Sequence, residues 1–185
     1  MYYMANRKYD GKMTFREFKK SNILKSLFDI EAEGDINKNQ DFFSYEDFYV
    51  IYIRFWELDN DHDFQLSREE LSKYSGYTLS RKTLERIFSQ TVKKFEYEEK
   101  MGFGDFVWFI LCVEDKTTEQ SIEYWFKIMD LDGNGIITGY ELEYFYEEQS
   151  QRLAYMESNL DFNFENIICQ MVDLLKPENG IQFTL

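Results

Sequence analysis

One arrangement of hydrophobic and polar positions recurs along the chain: an apolar residue, Ser or Thr, two further residues, Asp or Glu, then Phe or Leu. It stands at Met13-Thr14…Glu17-Phe18, Phe43-Ser44…Asp47-Phe48, Leu66-Ser67…Glu70-Leu71 and Ile137-Thr138…Glu141-Leu142, with a weaker copy at Met101-Gly102…Asp105-Phe106. A hydroxyl followed three residues later by a carboxylate is a capping box. Each side chain satisfies a backbone N–H that the first turn of a helix leaves bare, so each copy predicts a helix start. Their recurrence marks an internal repeat, which is a stronger signal than any single copy.

The apolar spacing between these starts predicts the helices. Asp47 to Leu58 is apolar on nearly every face, and so is Phe103 to Val113; such helices are normally buried. Ser80 to Lys94 carries Leu84, Ile87, Phe88 and Val92 on one side, and Thr118 to Asp130 carries Ile122, Trp125, Phe126 and Met129. Tyr140 to Met156 and Asn159 to Leu175 follow, with a turn over Lys176 to Gly180. The fold class expected is all-α.

The stretch Asp130 to Glu141, DLDGNGIITGYE, adds chemistry to this frame. Asp130, Asp132 and Asn134 occupy positions one, three and five, Gly135 position six, Ile136 seven, Thr138 nine and Glu141 twelve. This is the calcium loop of an EF-hand. A hard cation wants six to eight oxygens, and alternate side chains of a tightly curled loop point at one centre. Ile136 would offer its carbonyl, Thr138 a water-mediated contact and Glu141 both carboxylate oxygens.

Asp59 to Glu70 repeats the pattern with Asp59, Asp61, Asp63, Gln65, Ser67 and Glu70. Its departure is Phe64 where glycine is expected, and a bulky residue at positive φ costs on the order of 1–3 kcal/mol. On this reading Phe64→Gly relieves strain and raises calcium affinity a few-fold, with an unchanged or lower melting temperature. Two other loops are degenerate: Asn6–Glu17 has Lys8 at position three, and Ile36–Asp47 starts on an apolar residue and has Lys38 at position three. Lys94–Asp105 begins with lysine and reads as metal-free.

EF-hand loops pair through a short β-bridge at position eight. Taken in order, the pairs are Met13 with Phe43, Leu66 with Met101, and Ile137 with Phe183. The chain then divides into a degenerate pair over 1–58, a calcium loop with a metal-free partner over 59–113, and a second calcium loop with a truncated hand over 114–185. The first loop begins at Asn6 without room for an entering helix, and the last hand stops at Leu185, so the expectation is part of a longer polypeptide.

Composition narrows the function class. The chain has 185 residues, 44% of them hydrophobic and 19% aromatic, which fits a packed core rather than disorder. Thirty-five acids against 21 bases give a net charge of −14, unfavourable for nucleic acid and anionic membranes and suited to cations. No apolar run is long enough to span a bilayer and no signal peptide opens the chain, so membrane insertion is not expected. Cys112 and Cys169 sit singly in apolar stretches and read as buried, reduced thiols of an intracellular protein.

No catalytic constellation stands out, whether a nucleophile elbow, a phosphate loop or a zinc-protease helix, so an enzyme is not expected. The single histidine, His62, falls at position four of a calcium loop and reads as a solvated residue. Two function classes remain: a calcium-binding regulatory subunit, and a free-standing calcium sensor or buffer. The seven methionines are scattered, unlike the Met-rich groove of an adaptable sensor.

Longer runs are more specific than the loop pattern. FSYEDFYVIYIRFWELDNDHD (Phe43–Asp63), FVWFI with VEDK (Phe106–Lys116), SIEYWFKIMDLDGNG (Ser121–Gly135), ELEYFYEEQ (Glu141–Gln149) and ICQMVDLLKP (Ile168–Pro177) resemble the core of the B″ regulatory subunits of protein phosphatase 2A. The resemblance implies an all-helical EF-hand fold with calcium in the loops at Asp59–Glu70 and Asp130–Glu141. It also implies binding to a HEAT-repeat scaffold and a catalytic subunit, and direction of the phosphatase to its substrates. It places the protein in the cytoplasm, with the nucleus and centrosome as further sites. A bulky residue is usual in that family where Phe64 stands, whereas Asn134 replaces a usual aspartate.

Overall fold

A computed structural model describes Tyr3, residues 12–32, Lys38, residues 45–156 and residues 163–185. Nine helices occur among these residues: α1 Phe15–Lys20, α2 Ile23–Ala32, α3 Tyr45–Leu58, α4 Arg68–Ser72, α5 Arg81–Phe88, α6 Phe103–Glu114, α7 Glu119–Met129, α8 Gly139–Met156 and α9 Phe164–Leu175. Four two-residue strands separate them: β1 Gln65–Leu66, β2 Met101–Gly102, β3 Ile137–Thr138 and β4 Gln182–Phe183. The all-α EF-hand class expected from the repeat is the class observed.

The capping boxes form as the sequence predicts. Thr14 with Glu17 and Ser67 with Glu70 each exchange both bonds. Ser80, Thr118 and Asn163 cap α5, α7 and α9 with their side chains. Gly102 begins α6 without a side-chain cap, in keeping with the weaker repeat copy. Helix α5 is shorter than its apolar stripe: Ser89 caps it and Gln90 turns left-handed at φ +56°, so Val92 packs from beyond the helix.

Two antiparallel bridges tie the loops together. Leu66 pairs with Met101, and Ile137 with Phe183, the register expected from position-eight pairing. Phe43, the partner expected for Met13, lies outside the described residues, as do residues 6–11 of the first loop and most of the loop Ile36–Asp47.

The main core is aromatic. Phe55, Phe106 and Phe109 are fully buried and join Leu66, Leu71, Met101, Cys112 and Ile128 in one cluster drawn from α3 to α7 and the two bridging strands. A smaller cluster of Ile137, Leu142 and Ile168 sits under the second bridge. Helix α3 departs from expectation. Phe48, Tyr49, Val50 and Trp56 are exposed, and only Ile51, Phe55 and Leu58 are buried. The spacing of these three turns a single stripe of α3 to the core, with Tyr52 and Ile53 half-buried beside it. Cys112 is buried, and burial pushes its thiol up to about 12, but Cys169 is exposed rather than buried.

Polar contacts hold α5 between the two halves. Glu148 of α8 accepts the backbone N–H groups of Arg81 (2.6 Å) and Lys82 (3.0 Å), an anion on the bare N-terminus of α5. The Lys82 ammonium reaches the Tyr144 carbonyl and lies 3.8 Å from the Tyr144 ring centre. At the other end of α5, Arg86 reaches the second acidic loop.

Candidate calcium sites

Both loops curl in the same way, and backbone angles show it. In the second loop Gly133 (φ +72°) and Gly135 (φ +80°) are left-handed at positions four and six. In the first loop the same positions are His62 (φ +57°) and Phe64 (φ +64°). Glycine adopts this region freely, whereas side chains there cost energy. The first loop offsets that cost with ring contacts. His62 stacks on Trp56 of α3 with ring centres 4.1 Å apart and planes 10° apart. The Phe64 ring lies 5.3 Å from Phe55, 5.8 Å from Phe103 and 6.5 Å from Tyr52, centre to centre. His62 stays exposed, as expected, with one ring face stacked on Trp56, and Phe64 is an anchor as well as a source of strain.

The acidic side chains converge. One carboxylate oxygen from each of Asp130, Asp132 and Glu141 lies within 4.8 Å of the others, and the same holds for Asp59, Asp61 and Asp63. In the second loop Asp130 is buried and holds the turn together. Its oxygens accept from the N–H groups of Gly133 (2.8 Å), Asn134 (3.1 Å) and Gly135 (2.9 Å). Asn134 donates its amide to Asp132 (2.8 Å) and accepts from the N–H of Ile136 (2.7 Å).

The position-twelve glutamates close the loops. Glu141 accepts from the Leu131 N–H (2.7 Å), the Thr138 N–H (2.8 Å) and the Thr138 hydroxyl (2.9 Å). Glu70 does the same with the Asn60 N–H (2.9 Å), the Ser67 N–H (2.9 Å) and the Ser67 hydroxyl (2.7 Å). Burial pushes both carboxyls up, but these donors outweigh it and hold each below the usual glutamate range. Carboxylate oxygens carry several lone pairs between them, so both glutamates can accept these donors and still face a cation. Glu70 stands outside the Asp59–Asp61–Asp63 trio. Gln65, at position seven, lies in the first bridge and Ile136 directly precedes the second, and Ser67 and Thr138 cap the following helices.

Asp59 tests the fit of a cation. It is completely buried; its Oδ2 accepts from the Phe64 N–H (3.0 Å), but its Oδ1 has no hydrogen-bond partner among the described residues. A buried carboxylate oxygen without a donor is costly, and a bound cation removes the cost. The residues present fit calcium: oxygen donors throughout, at the spacing of its loop.

The paired loop 94–105 has its last acid satisfied by the protein itself. Asp105, at its position twelve, is buried and takes the Lys93 ammonium and the Glu96 N–H (3.0 Å). Lysine thus neutralises the carboxylate that a cation would bind in an active hand, which accords with a metal-free reading of this loop.

Arg86 joins the second site from outside its loop. Its guanidinium donates to the carbonyls of Lys127 (3.1 Å), Ile128 (3.0 Å) and Asp130 (2.7 Å). These are orphan acceptors at the end of α7, and a cation there also meets the negative end of the helix dipole. Because Asp130 is position one of the second loop, Arg86 positions a ligand from another hand. Arg86→Met is expected to lower calcium affinity at loop 130–141 about tenfold, in the range seen when outer partners of metal ligands are lost. Calcium titration should show loop 59–70 unchanged. An arginine within a predicted amphipathic helix carries no signal of this role in the sequence.

Known proteins fit this geometry. A family model described as an EF-hand domain pair matches residues 48–147. The chain is 49% identical over 181 residues to a probable B″delta regulatory subunit of serine/threonine protein phosphatase 2A from Arabidopsis thaliana, covering 97% of this chain and 34% of that protein. It is 48% identical over 188 residues to the human B″ alpha regulatory subunit of the same phosphatase, covering all of this chain and 16% of that protein. A solved structure described as a PP2A PR70 holoenzyme, labelled diCa, superposes with a TM-score of 0.87 at 48% identity, over 99% of this chain and 67% of that one. The chain thus spans about a third or less of these two curated relatives. The chain belongs to the EF-hand family, and the relatives that it matches along its length are B″ regulatory subunits of protein phosphatase 2A.

Proposed function

We propose that this chain is the calcium-binding EF-hand core of a B″-type regulatory subunit. It binds two calcium ions, one in Asp59–Glu70 and one in Asp130–Glu141, joins the scaffold and catalytic subunits of a 2A-type phosphatase, and steers substrate choice without catalysing a reaction itself. The observation that carries this is the match over 99% of the chain to a chain of a phosphatase holoenzyme, supported by the carboxylates that come together in each acidic loop. Calcium here stiffens and connects: its ligands tie α3 to α4 and α7 to α8, across loops that also pair with metal-free partners. The two bridges support the units 59–113 and 114–185; the pair over 1–58 is proposed from the repeat alone.

Among the described residues no helix is long and apolar enough to cross a membrane. The exposed aromatic side of α3, with Tyr49 and Trp56, suits contact with a protein. A pull-down from cell extract with the tagged chain in calcium tests the reading. Recovery of a phosphatase scaffold and its catalytic subunit is the expected result. Recovery of neither, with capture instead of short helical peptides, is the behaviour of a free-standing sensor.

A further inference from the structure

The two bridges place both acidic loops in one frame, so their surroundings can be compared residue by residue. Position eight is Leu66 in the first loop, paired with Met101, and Ile137 in the second, paired with Phe183. The residue one place before the partner is Lys100 in the first pair and Gln182 in the second. Position five differs in the complementary sense: it is Asp63 in the first loop and Asn134 in the second.

These two differences meet. The Lys100 ammonium donates to Asp63 Oδ2, while Asp63 Oδ1 accepts from the Gln65 N–H at 2.8 Å. In the second loop Asn134 is held by neutral partners and by Asp132. Loop 59–70 offers four carboxylates, Asp59, Asp61, Asp63 and Glu70, and one ammonium, for a net charge of −3. Loop 130–141 offers three, Asp130, Asp132 and Glu141, and the nearby Arg86 bonds backbone carbonyls rather than these carboxylates, so the carboxylates with the cations bonded to them again sum to −3.

We propose that Lys100 is a charge-matching residue, lent by the metal-free loop to its calcium-binding neighbour. By sitting on Asp63 it lowers the calcium affinity of loop 59–70 toward that of loop 130–141, so that one range of calcium concentration loads both sites. The inference rests on the reading of these loops as calcium sites. The physical basis is direct: the ammonium repels a dication approaching the same carboxylate, and salt screens that repulsion.

The test is calorimetric calcium titration of the full chain carrying Glu141→Gln, so that only loop 59–70 titrates. Absence of any calcium heat in that parent overturns the site reading, and the proposal with it. Given binding in the parent, Lys100→Gln, which copies Gln182, is expected to raise affinity on the order of tenfold at low ionic strength, with the gain shrinking as salt is added. Lys100→Arg keeps the charge and should leave affinity within about twofold. Adding Asp63→Asn to Lys100→Gln should return affinity toward the parent value. Lys100 is partly exposed, so none of these changes opens the core. An affinity for Lys100→Gln equal to or below that of the parent overturns the proposal and makes the pair an ordinary surface ion pair of little weight.

Discussion

Glu141→Gln is expected to abolish calcium binding at loop 130–141 or weaken it on the order of a hundredfold, while loop 59–70 still binds. The glutamate is only 4% exposed, and its two oxygens accept three donors, from Leu131 and Thr138. Glutamine removes a negative charge and the bidentate clamp on the cation. It also turns an NH₂ group toward an N–H that needs an acceptor, and a buried donor left unpaired costs about 1–3 kcal/mol. The charge effect and the lost loop closure therefore act in the same direction. Calorimetry should show one of two binding events lost; an unchanged stoichiometry and affinity would sink the assignment.

Phe64→Ala is expected to lower fold stability by about 2–4 kcal/mol, more than Phe64→Gly. Alanine keeps the Cβ at φ +64° and with it much of the strain, on the order of 1–3 kcal/mol, yet loses the ring. Glycine loses the same ring but is released from the strain. Three ring contacts, to Phe55, Phe103 and Tyr52, contribute about 0.5–1.5 kcal/mol each beyond burial. Because Phe64 is 47% exposed, the loss stays below that of a fully buried Phe. Strain relief alone would make Phe64→Gly bind calcium a few-fold more tightly. The ring contacts reverse that expectation. They fasten the loop to α3 and α6, and a freed glycine loop costs about 0.5–1 kcal/mol more to order, so calcium affinity should fall a few-fold. Chemical denaturation of both variants and calcium titration in the Glu141→Gln background check this. Tighter binding by Phe64→Gly at unchanged stability would show that Phe64 is only a strained defect.

The parts of this protein legible in its sequence are those written in local spacing. A capping box is a three-residue relation, so Thr14–Glu17 and Ser67–Glu70 can be read directly. The calcium loop is a twelve-residue relation, and position-eight pairing then follows from the order of the hands, which is why Leu66–Met101 and Ile137–Phe183 are predictable. Contacts between side chains distant along the chain are not. Arg86 reaches Asp130 across 44 residues and Lys100 reaches Asp63 across 37, and neither leaves a motif. The aromatic content of α3 reads as buried on nearly every face, but composition does not say how many faces of a helix have neighbours. His62 is exposed as its position predicts, but its stacking on Trp56 is not legible in the sequence for a related reason. The glycine at position four of the other loop, Gly133, is the signal that this position is left-handed, and a non-glycine residue there needs a contact such as Trp56 to hold it.

The calcium stoichiometry of the intact chain and of two single variants tests the two-site account most directly, by native mass spectrometry at graded calcium. Two calcium ions per chain are expected for the unaltered protein, and one each for Glu70→Gln and Glu141→Gln. A chain that takes up no calcium, or a variant that still carries two ions at the concentrations that fill the unaltered protein, contradicts it.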